Sequence, residues 1–179
     1  METFKVIKHT TGDDMCLRNV INYPIGKDQV LKEGFGIDAN NTSAATTQFE
    51  AVTEFFGNEN KTRVFHYMAA FTDKTAPTAE KSMELTKEIF AEITDDHLAA
   101  IGVHKKEREG GSCHSHTVVC PTSIHDGSML YGDNDTNYAL AQRMADVTGE
   151  PVKLVVRSDK GKDWECPVIF TPKTDDTEE

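Results

Sequence analysis

Apolar residues recur along this chain in two rhythms, and the switching between them sketches alternating strands and helices. Thr3–Lys8 reads as a first strand. A short helix is expected around Met15–Asn22, halted by Pro24, because proline disfavours helical geometry in the residue before it. Gly26, Gly34, Gly36 and Asn40-Asn41 mark a looped connection. The spacing of Phe49, Val52, Phe55 and Phe56 predicts a helix from about Ser43 to Phe56. Arg63–Phe71 has strand composition, and Thr78 is placed to cap a long helix through Ile93. Leu85, Ile89, Phe90 and Ile93 give that helix its apolar stripe. His97–His104 and His114–Cys120 read as two strands, joined by the charged segment Lys105–Cys113 as a hairpin-type loop. A last helix is expected from Asp135 to Val147, closed by Gly149. Pro151–Arg157 and Glu165–Phe170 finish as strands.

Strands with helices between them predict an α+β fold: a single, largely antiparallel sheet of about five strands with helices packed on its face. The 179 residues suit one domain over 1–172 and an acidic tail at 173–179. From Thr174 onward the tail holds four acids and no base, and it is expected to lack fixed structure. No apolar run approaches the roughly 20 residues needed to span a bilayer, which excludes membrane insertion. The opening Met1-Glu2-Thr3-Phe4-Lys5 lacks the basic-then-apolar layout of a signal peptide, so the chain is read as cytoplasmic. Cys16, Cys113, Cys120 and Cys166 form no CxxC pair and are read as reduced thiols, two buried and two in loops.

Charge complicates any reading that involves a polyanion. The net charge is −11, and removing the tail's four acids still leaves −7. Binding of nucleic acid would therefore rest on a local basic groove and a bound cation, not on overall attraction.

The chemistry concentrates in three histidines. Side chains alternate along a strand, so His114 and His116 project from one side, roughly 6.5 Å apart at the backbone. His104 ends the preceding strand, and the intervening loop returns the chain beside it. Three imidazoles can then share one divalent cation and leave positions open for water or a phosphate oxygen. Imidazoles favour transition metals such as zinc or nickel in raw affinity, whatever the cell supplies. His9, His66, His97 and His125 lack such company and are read as packing or surface residues.

His104, a short loop, then His114-Ser115-His116 and apolar Thr117-Val118-Val119 resembles the metal motif of the relaxase or mobilisation-nuclease family. These are HUH endonucleases, named for histidine-hydrophobe-histidine. Asp96-His97 and the apolar run to His104 are similar to the family's approach to its first ligand. Thr78–Ile93 resembles the preceding helix, Arg63–Phe71 the strand before it, and Asn137–Gly149 the helix after the metal strands. Asn19-Val20-Ile21-Asn22-Tyr23 resembles the segment bearing the nucleophile, so the likeness spans residues 3–155. It implies that Tyr23 is the nucleophile and that His104, His114 and His116 bind a divalent metal, magnesium or manganese in use. It further implies nicking of single-stranded DNA at the transfer origin of a plasmid or conjugative element through a covalent phosphotyrosine. Accessory mobilisation proteins are implied as partners. Departures from the pattern are Ser115 in place of a hydrophobe, a longer loop carrying Glu107 and Glu109, and Pro24 directly after the tyrosine.

Cations near such a site would come from Arg18, Lys27, Lys105 and Lys106, with Lys8 and Arg108 as further contributors. Tyr131 and Tyr138 compete with Tyr23, whereas Tyr67 reads as core. Two other readings stand. The acidic balance suits a relaxase-fold interaction module that has lost catalysis and keeps a structural metal. The His-x-His pair followed by Ser123 and Asp126 approaches a zinc isopeptidase pattern, but each of those residues lies one position too close.

Overall fold

The computed structural model describes residues 1–9, 14–26, 28–104, 113–158 and 160–174, with the side chains of 14–16 left aside. In chain order the elements are β1 (Glu2–Ile7), α1 (Asp14–Ile25), β2 (Gln29–Phe35), α2 (Thr42–Phe55) and β3 (Phe65–Phe71). α3 (Ala79–Ile89), α4 (Ala91–Asp96), β4 (Ala99–His104) and β5 (Cys113–Val119) follow. α5 (Asn134–Thr148), β6 (Val152–Arg157) and β7 (Asp163–Phe170) complete the fold. The fold is α+β, but among the described residues its sheet has seven strands rather than about five, in the order β2-β4-β5-β3-β1-β6-β7. Pairing is antiparallel except between β1 and β6, which run parallel.

Helices cover both faces of this sheet, not one. Alternation along each strand sorts its side chains between two layers. Phe4, Val6, Tyr67, Ala69, Phe71 and Leu154 pack with Leu85, Ile89, Leu140 and Met144 of α3 and α5. The rings of Phe4, Tyr67 and Phe90 meet there with centroids 5.4–6.2 Å apart. On the opposite face Ala100 and Val118 pack with Leu17, Val20, Ile21 and Ile25 of α1 and with Ala45 and Phe49 of α2. α1 and α2 thus lie over the β4–β5 part of the sheet.

Several boundaries shift for physical reasons. α1 does not stop at Asn22; it runs to Ile25 with Pro24 inside its last turn. Pro24 and Ile25 are buried, and contact with the sheet outweighs the local preference against helix before proline. The glycine-marked connection after α1 contains β2, which among the described residues is an edge strand paired with β4 and bulged between Gln29 and Leu31. Gln29 Nε2 donates to the Tyr23 carbonyl and Lys32 Nζ to that of Ile25 at 3.3 Å, so β2 satisfies carbonyls at the end of α1. The long helix capped by Thr78 breaks at Phe90, which ends α3 and precedes α4. Asn41, Thr78 and Asp133 cap α2, α3 and α5 through their side chains, and Gly149 closes α5 with a left-handed φ of 71°. Cys113, Cys120 and Cys166 are all buried, which corrects the expectation of two buried cysteines and two in loops. Residues 175–179 of the expected tail lie outside the described residues.

Candidate active site

The sheet register lays out the site row by row. β4 and β5 are neighbours, and His104 pairs with His114 while Gly102 pairs with His116. β3 follows on the other side of β5, with Ala70 opposite His114 and Met68 opposite His116. These positions share the face that carries α1, because their neighbours Ile101, Val103, Ala69 and Phe71 are committed to the other layer. His104, His114 and His116 consequently converge, with one ligand atom from each lying within 4.8 Å of the others. Nitrogens that share an ion at about 2.1 Å can be no more than roughly 4.2 Å apart, so the three stand within about an ångström of the spacing that one shared cation requires.

Ser115, the departure in the middle of the motif, points into the opposite layer. Its hydroxyl is fully buried and lies 2.7 Å from Thr86 Oγ1, which in turn donates to the Ser82 carbonyl. A polar residue is tolerated there because α3 supplies its partner.

Tyr23 reaches the histidines through a close approach of two backbones. A Cβ on Gly102 would lie 1.7 Å from the Pro24 carbonyl oxygen, so only glycine lets the last turn of α1 rest on β4 beside His116. The Tyr23 ring then lies 5.7 Å from that of His116 and 5.0 Å from that of His66. Roughly half of Tyr23 remains exposed, which leaves its edge open to a ligand. Tyr138 instead packs on Phe170 in the α5 layer, Tyr131 is exposed ahead of α5, and Tyr67 is core as expected.

Two histidines that had seemed without company in the sequence belong to this site. His66 Nε2 lies 2.7 Å from His116 Nδ1, and His66 Nδ1 lies 2.8 Å from His9 Nε2. The sequence offers no local sign of this, because the partners come from the end of β1, from β3 and from β5. Burial, then His104 and His114, push the pKa of His116 down to about 3. Burial foremost, with His116, His9 and His104 nearby, holds His66 well below the ordinary imidazole value, and burial lowers His9. Near neutral pH His116 is therefore uncharged and has a lone pair for a metal, which suits this donor set to a divalent cation.

His97 and His125 do fall outside the site. His97 is buried against the Cys120 carbonyl at 2.9 Å, and His125 pairs with Asp96 on the surface. Ser123 and Asp126 organise a local turn in which the Ser128 amide and hydroxyl bond to the Asp126 carboxylate. Among the expected cations, Arg18 is exposed on α1 and Lys8 at the end of β1, whereas Lys27, Lys105, Lys106 and Arg108 lie outside the described residues. Cations absent from that expectation stand on the histidine face: the row of His116 and Met68 continues to Lys5, and that of His114 and Ala70 to Thr3 and Lys153. Arg157 stands one row further, beyond His66 and Ile7. Lys5 and Arg157 both pair with Asp163, at 3.1 and 2.9 Å.

No helix among the described residues is long and apolar enough to cross a membrane. No curated protein and no solved structure matches the chain. A family model described as relaxase, MobA/VirD2-like, nuclease domain matches residues 22–150, which takes in Tyr23, the three histidines and α5. With more than two thirds of its length matched, the chain belongs to this relaxase family.

Proposed function

We propose that the protein is a metal-dependent HUH nuclease that nicks one DNA strand at the transfer origin of a plasmid or conjugative element, with Tyr23 as its nucleophile. The observation that carries this reading is the Tyr23 ring lying against His116, one of three histidines able to share an ion. His104, His114 and His116 would hold a divalent cation, magnesium or manganese in use and zinc or nickel by affinity. Such an ion, when bound, neutralises non-bridging phosphate oxygens and stabilises the charge that develops on attack.

Tyr23 attacks phosphorus in line: the Oη–P bond forms, the P–O3′ bond breaks, and the phenolic proton is passed on so that the leaving strand ends in a 3′ hydroxyl. The resulting phosphotyrosine conserves a phosphodiester, so a 3′ hydroxyl can later reverse the step. Lys5, Lys153 and Arg157, on the same face as the histidines, offer positive charge for the strand. They supply locally what the overall charge of −11 withholds.

The test is a denaturing gel after incubation with single-stranded origin DNA and Mn²⁺ or Mg²⁺. Wild type should give a covalent adduct. Tyr23→Phe should bind the oligonucleotide without forming one, and His114→Ala should lose metal affinity and nicking together. Adduct formation by Tyr23→Phe at the wild-type rate would remove the nucleophile assignment. The acidic balance favours one second reading, an interaction module on the relaxase fold with a structural metal. A wild-type protein that binds metal but neither retains oligonucleotide at low salt nor forms adduct would favour that alternative.

A further inference from the structure

The histidine chain that leads away from the metal ligands does more than fill space. A neutral imidazole has one N–H and one bare nitrogen, so rings bonded in series must all point the same way. His116, His66 and His9 form such a series, through contacts of 2.7 and 2.8 Å. His116 commits Nδ1 to His66 and has only Nε2 left for an ion. A ligating Nε2 must be bare, which places the proton of His116 on Nδ1, donating to His66 Nε2. His66 then carries its own proton on Nδ1 and donates to His9 Nε2. The opposite sense would protonate His116 Nε2 and close it to metal.

We propose that His66 is a positioning residue for the metal site: it accepts from His116, keeps Nε2 of that ring bare, and is itself oriented by His9. The inference rests on the reading of His116 as a metal ligand. His66 is 2% exposed and lies within β3, as such a role requires. His9 stacks on it with an interplanar angle of 8° and centroids 5.1 Å apart. Tyr23 lies over this series, its ring 5.0 Å from His66, 5.7 Å from His116 and 6.2 Å from His9. Metal loading and the proton position next to Tyr23 are thereby linked through three rings.

The experiment uses the full chain with ¹⁵N-labelled histidine. Long-range ¹H–¹⁵N spectra of the metal-free protein should show His116 protonated on Nδ1, and Mn²⁺ affinity is measured by calorimetry. His66→Phe keeps a buried ring but removes the acceptor. It should mix the two His116 tautomers and weaken Mn²⁺ binding about 10- to 100-fold. His66→Gln, which can accept from His116 and donate to His9, should restore the Nδ1–H form and bring affinity back to within a few-fold. Wild-type tautomer and affinity in His66→Phe would overturn the proposal, as would a His66→Gln protein no better than His66→Phe. If His66→Phe does not fold, His66→Gln decides alone: a His116 ring not protonated on Nδ1 refutes the role. Failure of wild type to bind Mn²⁺ would refute the metal reading separately, while the tautomer spectra would still decide the part played by His66.

Discussion

Ser115 shows how a single side chain can serve the opposite side of the sheet from its neighbours. While His114 and His116 face α1, its hydroxyl is satisfied by Thr86 within the other layer. Thr86→Val should strand that hydroxyl and cost about 1–3 kcal/mol, seen as a lower urea midpoint, with Mn²⁺ affinity unchanged because none of the proposed metal ligands is touched. Altered metal affinity would mean that the two faces are coupled through β5. Protonation acts on the histidine face itself. Unfolded histidines titrate near 6.5, whereas His116 is pushed down to about 3 and His66 lies well below the ordinary value. Between those values the unfolded chain binds more protons than the folded one, so stability is full above about 6.5 and is lost as pH falls toward about 3. The urea midpoint of the metal-free protein should therefore drop between about pH 7 and about pH 4, and His66→Phe should flatten the fall. A midpoint that rises on acidification would contradict the buried, neutral state of these rings.

At the scale of elements, the docking of α1 on β4 governs where the tyrosine stands. Gly102→Ala places a methyl where the Pro24 carbonyl now lies, so the last turn of the helix must lift. A displacement of about 1 Å can cost roughly 100-fold in rate. Single-turnover adduct formation should slow by that order while Mn²⁺ affinity stays near wild type, since the proposed ligands come from β4 and β5 and not from α1. Equal loss of both would show that the substitution has disturbed the strands instead. The same elements mark what the amino-acid pattern could reveal. The convergence of His104, His114 and His116 was readable, because strand alternation and a returning loop are local. The place of Tyr23 over them came only from family likeness, since no periodicity tells which strand a helix will cross. β2 escaped notice because an edge strand carrying Lys32, Glu33 and Gly34 lacks the apolar alternation of a half-buried one. His66 escaped for a different reason: its partner lies 50 residues away on a neighbouring strand.

Across the whole molecule, an acidic protein must recruit a polyanion through a small set of cations. Lys5 and Arg157 are shared with Asp163, so a DNA phosphate would compete with that carboxylate for both. Replacing both by alanine should reduce the magnitude of the salt slope for single-stranded oligonucleotide binding by about 1.4, at roughly 0.7 per phosphate contact. An unchanged slope in a filter-binding series over salt concentration would direct attention to Arg18 and the remaining basic residues.

β1 lies between β3 and β6, with Glu2 opposite Val152 and Ile7 opposite Arg157. The opening strand must therefore wait for a partner that leaves the ribosome some 150 residues later. Until then, one side of β1, including the segment that leads into His9, offers an unmatched row of amides and carbonyls. Such distant pairing slows folding, so β1 stays open on its β6 side even after β3 and β5, which carry His66 and His116, have been made. A nascent chain held short of Val152 would carry every proposed metal ligand and the tyrosine, yet lack the strand that buttresses β1.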